Sequence, residues 1–151
     1  MSKFKLVRLI VVFIVIIVAA VWALKYSINK IQSSKNDDII TNMLVIQGKI
    51  KVMNGDVKVG NSDNQHIGTK LSDLKDDSIE KKINNAGVTE ESFEDFYLLS
   101  KENLAAMQIL DDLKNVDDGE YIVNYKDCEV IYIKGIKKDG STKYKLSDIL
   151  N

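Results

Sequence analysis

The hydrophobic positions of this chain change their period three times, and each change marks a different kind of element. Residues 9–24 show no period: LIVVFIVIIVAAVWAL is sixteen residues without a polar side chain. A stretch apolar on every side predicts a membrane helix rather than a surface helix. A bilayer core of about 30 Å needs about 20 helical residues, and sixteen rise about 24 Å. Arg8 and Lys25 close the gap by extending outward, with Trp22 and Tyr26 at one interface. The side chains expected to meet lipid are Leu9, Val12, Phe13, Ile16, Ile17, Trp22 and Leu24. The competing reading is a cleaved signal peptide, with Val21-Trp22-Ala23 or Val18-Ala19-Ala20 as its small-residue site. The run exceeds the usual apolar region of about 7–15 residues, and Trp22 fits the first site poorly, which favours retention as an anchor.

A polar juxtamembrane segment follows, KYSINKIQSSKNDD over residues 25–38. Ile28 and Ile31 carry the helix out of the membrane until it weakens at Ser33-Ser34. Asp37 or Asp38 then supplies the N-cap of a second helix. Its pattern is heptad-like: Ile39, Met43, Ile46, Ile50, Met53 and Val57 fall at spacings of 4, 3, 4, 3 and 4, with Ile40 and Leu44 widening the stripe. This seam packs either on its own domain or against another helix in an oligomer. Gly48 and Gly55 each cost about 1 kcal/mol relative to alanine, so the helix needs tertiary support. From Val45 onward, IKV and VKV also admit a strand.

The period then shortens. GNSDNQHIGT, residues 60–69, is a polar loop in which His66 is expected to be solvated. Asp76-Asp77-Ser78 caps a helix over residues 79–86 that stops at Gly87. Thr89 opens a brief turn, with Glu90 and Glu91 where the helix dipole favours acids. Phe96-Tyr97-Leu98-Leu99 reads as a strand, and Ser100 caps a helix over residues 101–110 with Leu104, Met107 and Leu110 inward. Residues 121–125 and 129–133 alternate aromatic and β-branched side chains around Lys126-Asp127-Cys128, which predicts a hairpin. Asp117-Asp118-Gly119 turns into it, Lys137-Lys138-Asp139-Gly140 turns out of it, and residues 143–146 add a lysine-guarded edge strand. The expected fold is therefore α+β: a transmembrane anchor (residues 1–26), a juxtamembrane segment with an amphipathic helix (27–59), and a small domain of short helices and a three- or four-stranded antiparallel meander (60–151).

Charge adds a direction. Lys3, Lys5 and Arg8 precede the apolar run, and no acidic residue occurs before Asp37. The denser basic cluster places the N-terminus in the cytoplasm and the body outside. From Lys25 onward there are 18 basic and 22 acidic residues, a mildly acidic body with no electrostatic footprint for nucleic acid. The single cysteine and single histidine, Cys128 and His66, exclude an intramolecular disulfide and a Cys/His zinc site. Acids at positions 127 and 129 oppose a Cys128 thiolate, so that residue is read as a passive turn position. The acidic stretch DDLKNVDDGE, residues 111–120, lacks the spacing of an EF-hand, leaving a weak calcium site as the minor alternative to caps and solvated acids. No phosphate loop or nucleophile elbow is present, and the expectation is a protein without catalytic residues, cofactor or metal.

The order of a membrane helix, a continuing amphipathic helix and a small meander resembles type IV pilins and the pseudopilins of type II secretion. The stretch from FYLLSKENLAAM to DDGEYIVNYKDCEVIYIKG resembles the hairpin region of small pilin-like envelope proteins of Gram-positive bacteria. The resemblance implies an extracytoplasmic structural subunit whose partners are the lipid bilayer and, through the N-terminal helices, itself or other secretion components. Where prepilins have a glycine or alanine cleavage residue and then Phe-Thr-Leu-x-Glu, this chain reads Lys5-Leu6-Val7-Arg8-Leu9-Ile10, which implies an uncleaved component. The alternative function is a tethered module that binds a peptide, wall polymer or partner protein through exposed tyrosines among Tyr97, Tyr121, Tyr125, Tyr132 and Tyr144.

Overall fold

The structure is a computed structural model that describes residues 3–58 and 66–151. Helix α1 spans Lys3–Lys58, and a five-stranded antiparallel sheet with short helices follows. The chain divides into two compact units, Met1–Asp37 and Asp38–Asn151.

The first unit is helical throughout its described length. Leu9, Val12, Phe13, Ile16, Ile17, Trp22 and Leu24 are each about half exposed or more. This helix is long and apolar enough to cross a membrane.

In α1 the structure corrects three expectations. The helix does not weaken at Ser33-Ser34, and neither Asp37 nor Asp38 is an N-cap, because both lie inside the helix. Residues 25–38 contain no glycine or proline, and serine costs only tenths of a kcal/mol in a helix, so nothing there forces a break. The strand alternative from Val45 also gives way to helix. A seam at alternating spacings of 3 and 4 lies along one face only in a helix.

In the second unit the seam is a core element. Met43, Ile46 and Ile50 are 0 % exposed and Met53 is nearly so, while Ile39 and Ile40 pack at the margin. Val57 lies outside the residues whose side chains are described.

The sheet runs β1 (Thr69–Lys70), β2 (Phe96–Leu99), β3 (Tyr121–Asn124), β4 (Glu129–Lys138) and β5 (Ser141–Lys145), each strand antiparallel to its neighbours in that order. Both faces are covered, and the period-2 alternation divides them. Tyr121, Val123, Val130 and Tyr132 join the α1 seam, whereas Ile122, Ile131 and Ile133 join Leu71, Ile83, Ala86 and Val88. Two-sided burial explains why YIVN in β3 is buried at all four positions. The meander has one strand more than expected. Strand β1 is two residues long and pairs only with Tyr97 and Leu98, too short to leave a sequence pattern.

Helix caps explain the remaining boundaries. Helix α2 (Asp77–Asn85) begins at Asp76, whose carboxylate accepts the Ser78 N–H at 2.9 Å. It ends with Gly87 at φ +78° and the Val88 N–H on the Ile83 carbonyl, a left-handed cap closed by an apolar contact. Helix α3 (Lys101–Ala106) begins with a reciprocal Ser100–Asn103 capping box. It stops four residues before the expected Leu110, because Gln108 adopts φ +62° and the Ile109 N–H returns to the Leu104 carbonyl. The stretches Leu71–Asp73, Glu90–Asp95 and Leu110–Asp112 are 3₁₀ turns, and helix α4 (Leu146–Leu150) closes the chain.

Candidate functional site

The polar residues of α1 that fall beside its apolar seam hold the second unit in register. Asn42, 2 % exposed, donates to the Lys114 carbonyl at 2.8 Å and accepts the Lys114 N–H at 2.9 Å. Its amide also reaches the Tyr121 hydroxyl at 3.3 Å. Gln47 donates to the Cys128 carbonyl at 3.0 Å, and the Asn54 amide lies 3.7 Å from the Cys128 sulfur. These contacts join positions 72 to 81 residues apart in the chain. Cys128 is half-buried at φ +52° in the β3–β4 turn, which Asn124 shapes by accepting the Lys126 and Asp127 N–H groups. Its sulfur lies between the Asn54 amide and the Tyr125 carbonyl, which tie the turn to α1.

His66 is exposed, as expected of a loop histidine, but it is not merely solvated. Its ring stacks on Tyr125 with centroids 4.4 Å apart and planes 6° apart, and Tyr97 meets it edge-on. Asp63, Asn64 and Gln65, which precede it in the loop, lie outside the described residues. Beneath it the Tyr125 hydroxyl donates to the Ile67 carbonyl at 2.6 Å and accepts the Ile67 N–H at 3.0 Å. Tyr125 thus clamps the chain just before its first strand, β1.

The tyrosines do not form an open platform. Tyr121, Tyr125 and Tyr132 are buried, and Tyr97 and Tyr144 are half-buried. Burial pushes the Tyr121 and Tyr125 hydroxyls up to about 12, against the partly opposing hydrogen bonds from Asn42 and Ile67. A phenol whose proton is held more tightly in the folded state stabilises the fold below its ordinary value near 10, and that contribution is lost as pH rises towards 12. Stability should therefore fall between about pH 10 and 12. Phenolate absorbance of the Tyr121→Phe, Tyr125→Phe double variant should lose most of the late-titrating component, leaving the share of Tyr132, which burial also raises, and its unfolding should depend less on pH across that window.

The acidic stretch at residues 111–120 disperses into separate structural duties. Asp118 accepts the Lys101 N–H at 2.7 Å. Glu120, 6 % exposed, accepts from Lys134 at 2.7 Å and from the Asp117 N–H at 3.0 Å. The Glu120 hydrogen bond raises the Lys134 ammonium above the ordinary lysine value. A cavity of about 240 Å³ opens here between Ile79, Lys82, Gly119 and Ile133, smaller than ordinary ligand pockets of about 300 Å³ and upward, and of its lining Glu120 and Lys134 are paired with each other. Elsewhere Ser78 hydrogen bonds hold Asp76 low, while the hydrogen bond that protonated Glu80 donates to Glu90 pushes Glu80 up. Among the described residues no three of His, Cys, Asp and Glu come together as ligands for a metal ion.

Sequence reasoning missed the Asn42 clamp and the Glu120–Lys134 pair. A polar residue inside an apolar seam was the available signal for Asn42; nothing in the spacing of Glu120 and Lys134 marks their meeting. No known protein family, curated protein or solved structure matches this chain.

Proposed function

We propose that this chain is a membrane-anchored structural subunit of the cell envelope, pilin- or pseudopilin-like, that acts by assembly and carries no catalysis. The observation that carries the reading is helix α1. Over residues 9–24 it is bare and apolar on every side, and in the second unit it is a core element packed on an antiparallel meander. The first property supports a retained single pass, with Lys3, Lys5 and Arg8 in the cytoplasm and the sheet-bearing unit outside. The second supports the pilin-like class, in which one long helix supplies both the anchor and the spine of the outer domain. The seam at Met43, Ile46 and Ile50 is occupied within its own unit, so this reading places subunit contacts on the apolar helix of the first unit.

Single cysteines introduced as Val12→Cys, Ile16→Cys and Ala19→Cys in a Cys128→Ser background test this in native membranes. The chain should stay with the membrane after alkaline carbonate washing, and at least one position should crosslink into dimers and larger species. Monomer at every position would remove the assembly role. Release into the soluble fraction would remove the anchor.

A further inference from the structure

We infer that the first turns of α1 form a binding site for an anionic phospholipid of the cytoplasmic leaflet, with its phosphate between Lys5 and Arg8 and an acyl chain along the apolar strip beneath them. Lys5, Arg8, Leu9, Val12, Phe13 and Ile16 border one shallow, open groove on the exposed surface of the helix. Their order fits the ligand. Lys5, Arg8, Val12 and Ile16 are spaced 3, 4 and 4 apart, which stacks them on one side of a helix, cations above and hydrocarbon below. A phospholipid has the same sequence of chemistry from head to tail.

Charge identifies the headgroup. The first acidic residue of the chain is Asp37, 29 positions beyond Arg8, or about 44 Å along the helix. Neither cation can therefore find a carboxylate on its own helix, and the counter-charge must come from the surroundings. A phosphate diester accepts a bidentate guanidinium together with an ammonium, and an anionic lipid brings no cation of its own to oppose them. A zwitterionic headgroup does. Lys3 carries the same charge, but it sits about 160° around the helix from Lys5, away from the groove.

The inference rests on the reading that residues 9–24 span a bilayer. The full chain, reconstituted in phosphatidylcholine bilayers, is probed by electron spin resonance with spin-labelled phosphatidylglycerol or spin-labelled phosphatidylcholine. Phosphatidylglycerol should be preferred about threefold or more in the motionally restricted fraction. The Lys5→Gln, Arg8→Gln double variant should lose that preference, and Lys3→Gln should keep it. Equal restriction of the two lipids by the unaltered chain overturns the site while leaving the span intact. An equal loss in Lys3→Gln and Arg8→Gln overturns it too, because net charge alone then accounts for the preference. If neither lipid is restricted, the span reading fails and the site falls with it.

Discussion

Replacing Ile46 by aspartate should unfold the unit Asp38–Asn151. Ile46 is 0 % exposed in the cluster that joins α1 to Tyr121, Val123, Val130 and Tyr132. Truncating such a side chain costs about 2–5 kcal/mol through lost burial and the cavity left behind. A carboxylate there adds the cost of an unpaired buried charge, or of the protonation that avoids it. A loss of about 5 kcal/mol or more is comparable with the whole stability of a small domain. Near-ultraviolet circular dichroism of the full chain in detergent should lose its tyrosine signal. Val52→Asp is the matched control: its site is 59 % exposed on the same helix, and the change should stay within about 0.5 kcal/mol. The pair of variants also separates the two meanings of the seam. If Ile46→Asp leaves the tyrosine signal intact and only abolishes self-association, the seam is a contact between subunits and not a core.

Gly135→Ala should be the most damaging methyl addition in the sheet. Gly135 lies at φ +69°, where the β4–β5 register shifts between Ile131 and Ile136. A Cβ there would sit 2.5 Å from Thr142 Cγ2 and 2.8 Å from Tyr144 Cε1. The left-handed backbone alone costs a side chain about 1–2 kcal/mol, and overpacking adds about 1–3 kcal/mol. Thermal unfolding should shift down by roughly 10 °C. Gly140→Ala isolates the first contribution, because Gly140 has φ +77° but nothing lies within 4 Å of its Cβ position. It should cost about 1 kcal/mol. Equal losses at the two sites would show that crowding at the bulge is relieved by small movements of Thr142 and Tyr144.

How far the sequence announces this fold can be seen at paired sites. Helices α2 and α3 end in the same left-handed motif, with a residue after the cap closing onto the last turn. In α2 that position is Gly87, which has no Cβ penalty and so marks the stop in the sequence itself. In α3 it is Gln108, whose backbone is held by the burial of Leu104 and Ile109 in the core shared with α1 and the sheet, a tertiary cause that no local pattern records. The same distinction applies to α1. The seam at Met43, Ile46, Ile50 and Met53 is legible because period 3.6 is local. That the helix runs on through Ser33-Ser34 is not, because weak formers become breaks only when something competes for the backbone. Strands β3 and β4 were legible from β-branched and aromatic alternation. Strand β1, two residues against Tyr97 and Leu98, exists only because β2 offers an edge. For the candidate sites, the bare apolar helix over residues 9–24 was legible, since an unbroken apolar run needs no second chain segment to show itself. The Asn42–Lys114 clamp and the Glu120–Lys134 pair depend on chain segments meeting, and a single sequence carries no signal of that.

The placement of aromatic side chains also divides the two units spectroscopically. Trp22 is the only tryptophan in the chain, and it stands 76 % exposed in the apolar helix. Tyr121, Tyr125 and Tyr132 are packed in the sheet-bearing unit. The emission maximum of the indole therefore reports the surroundings of the apolar helix, while the dichroism of Tyr121, Tyr125 and Tyr132 reports packing in the sheet-bearing unit. One sample of the unlabelled chain thus carries a gauge in each unit, one for the environment of the helix and one for the packing of the sheet.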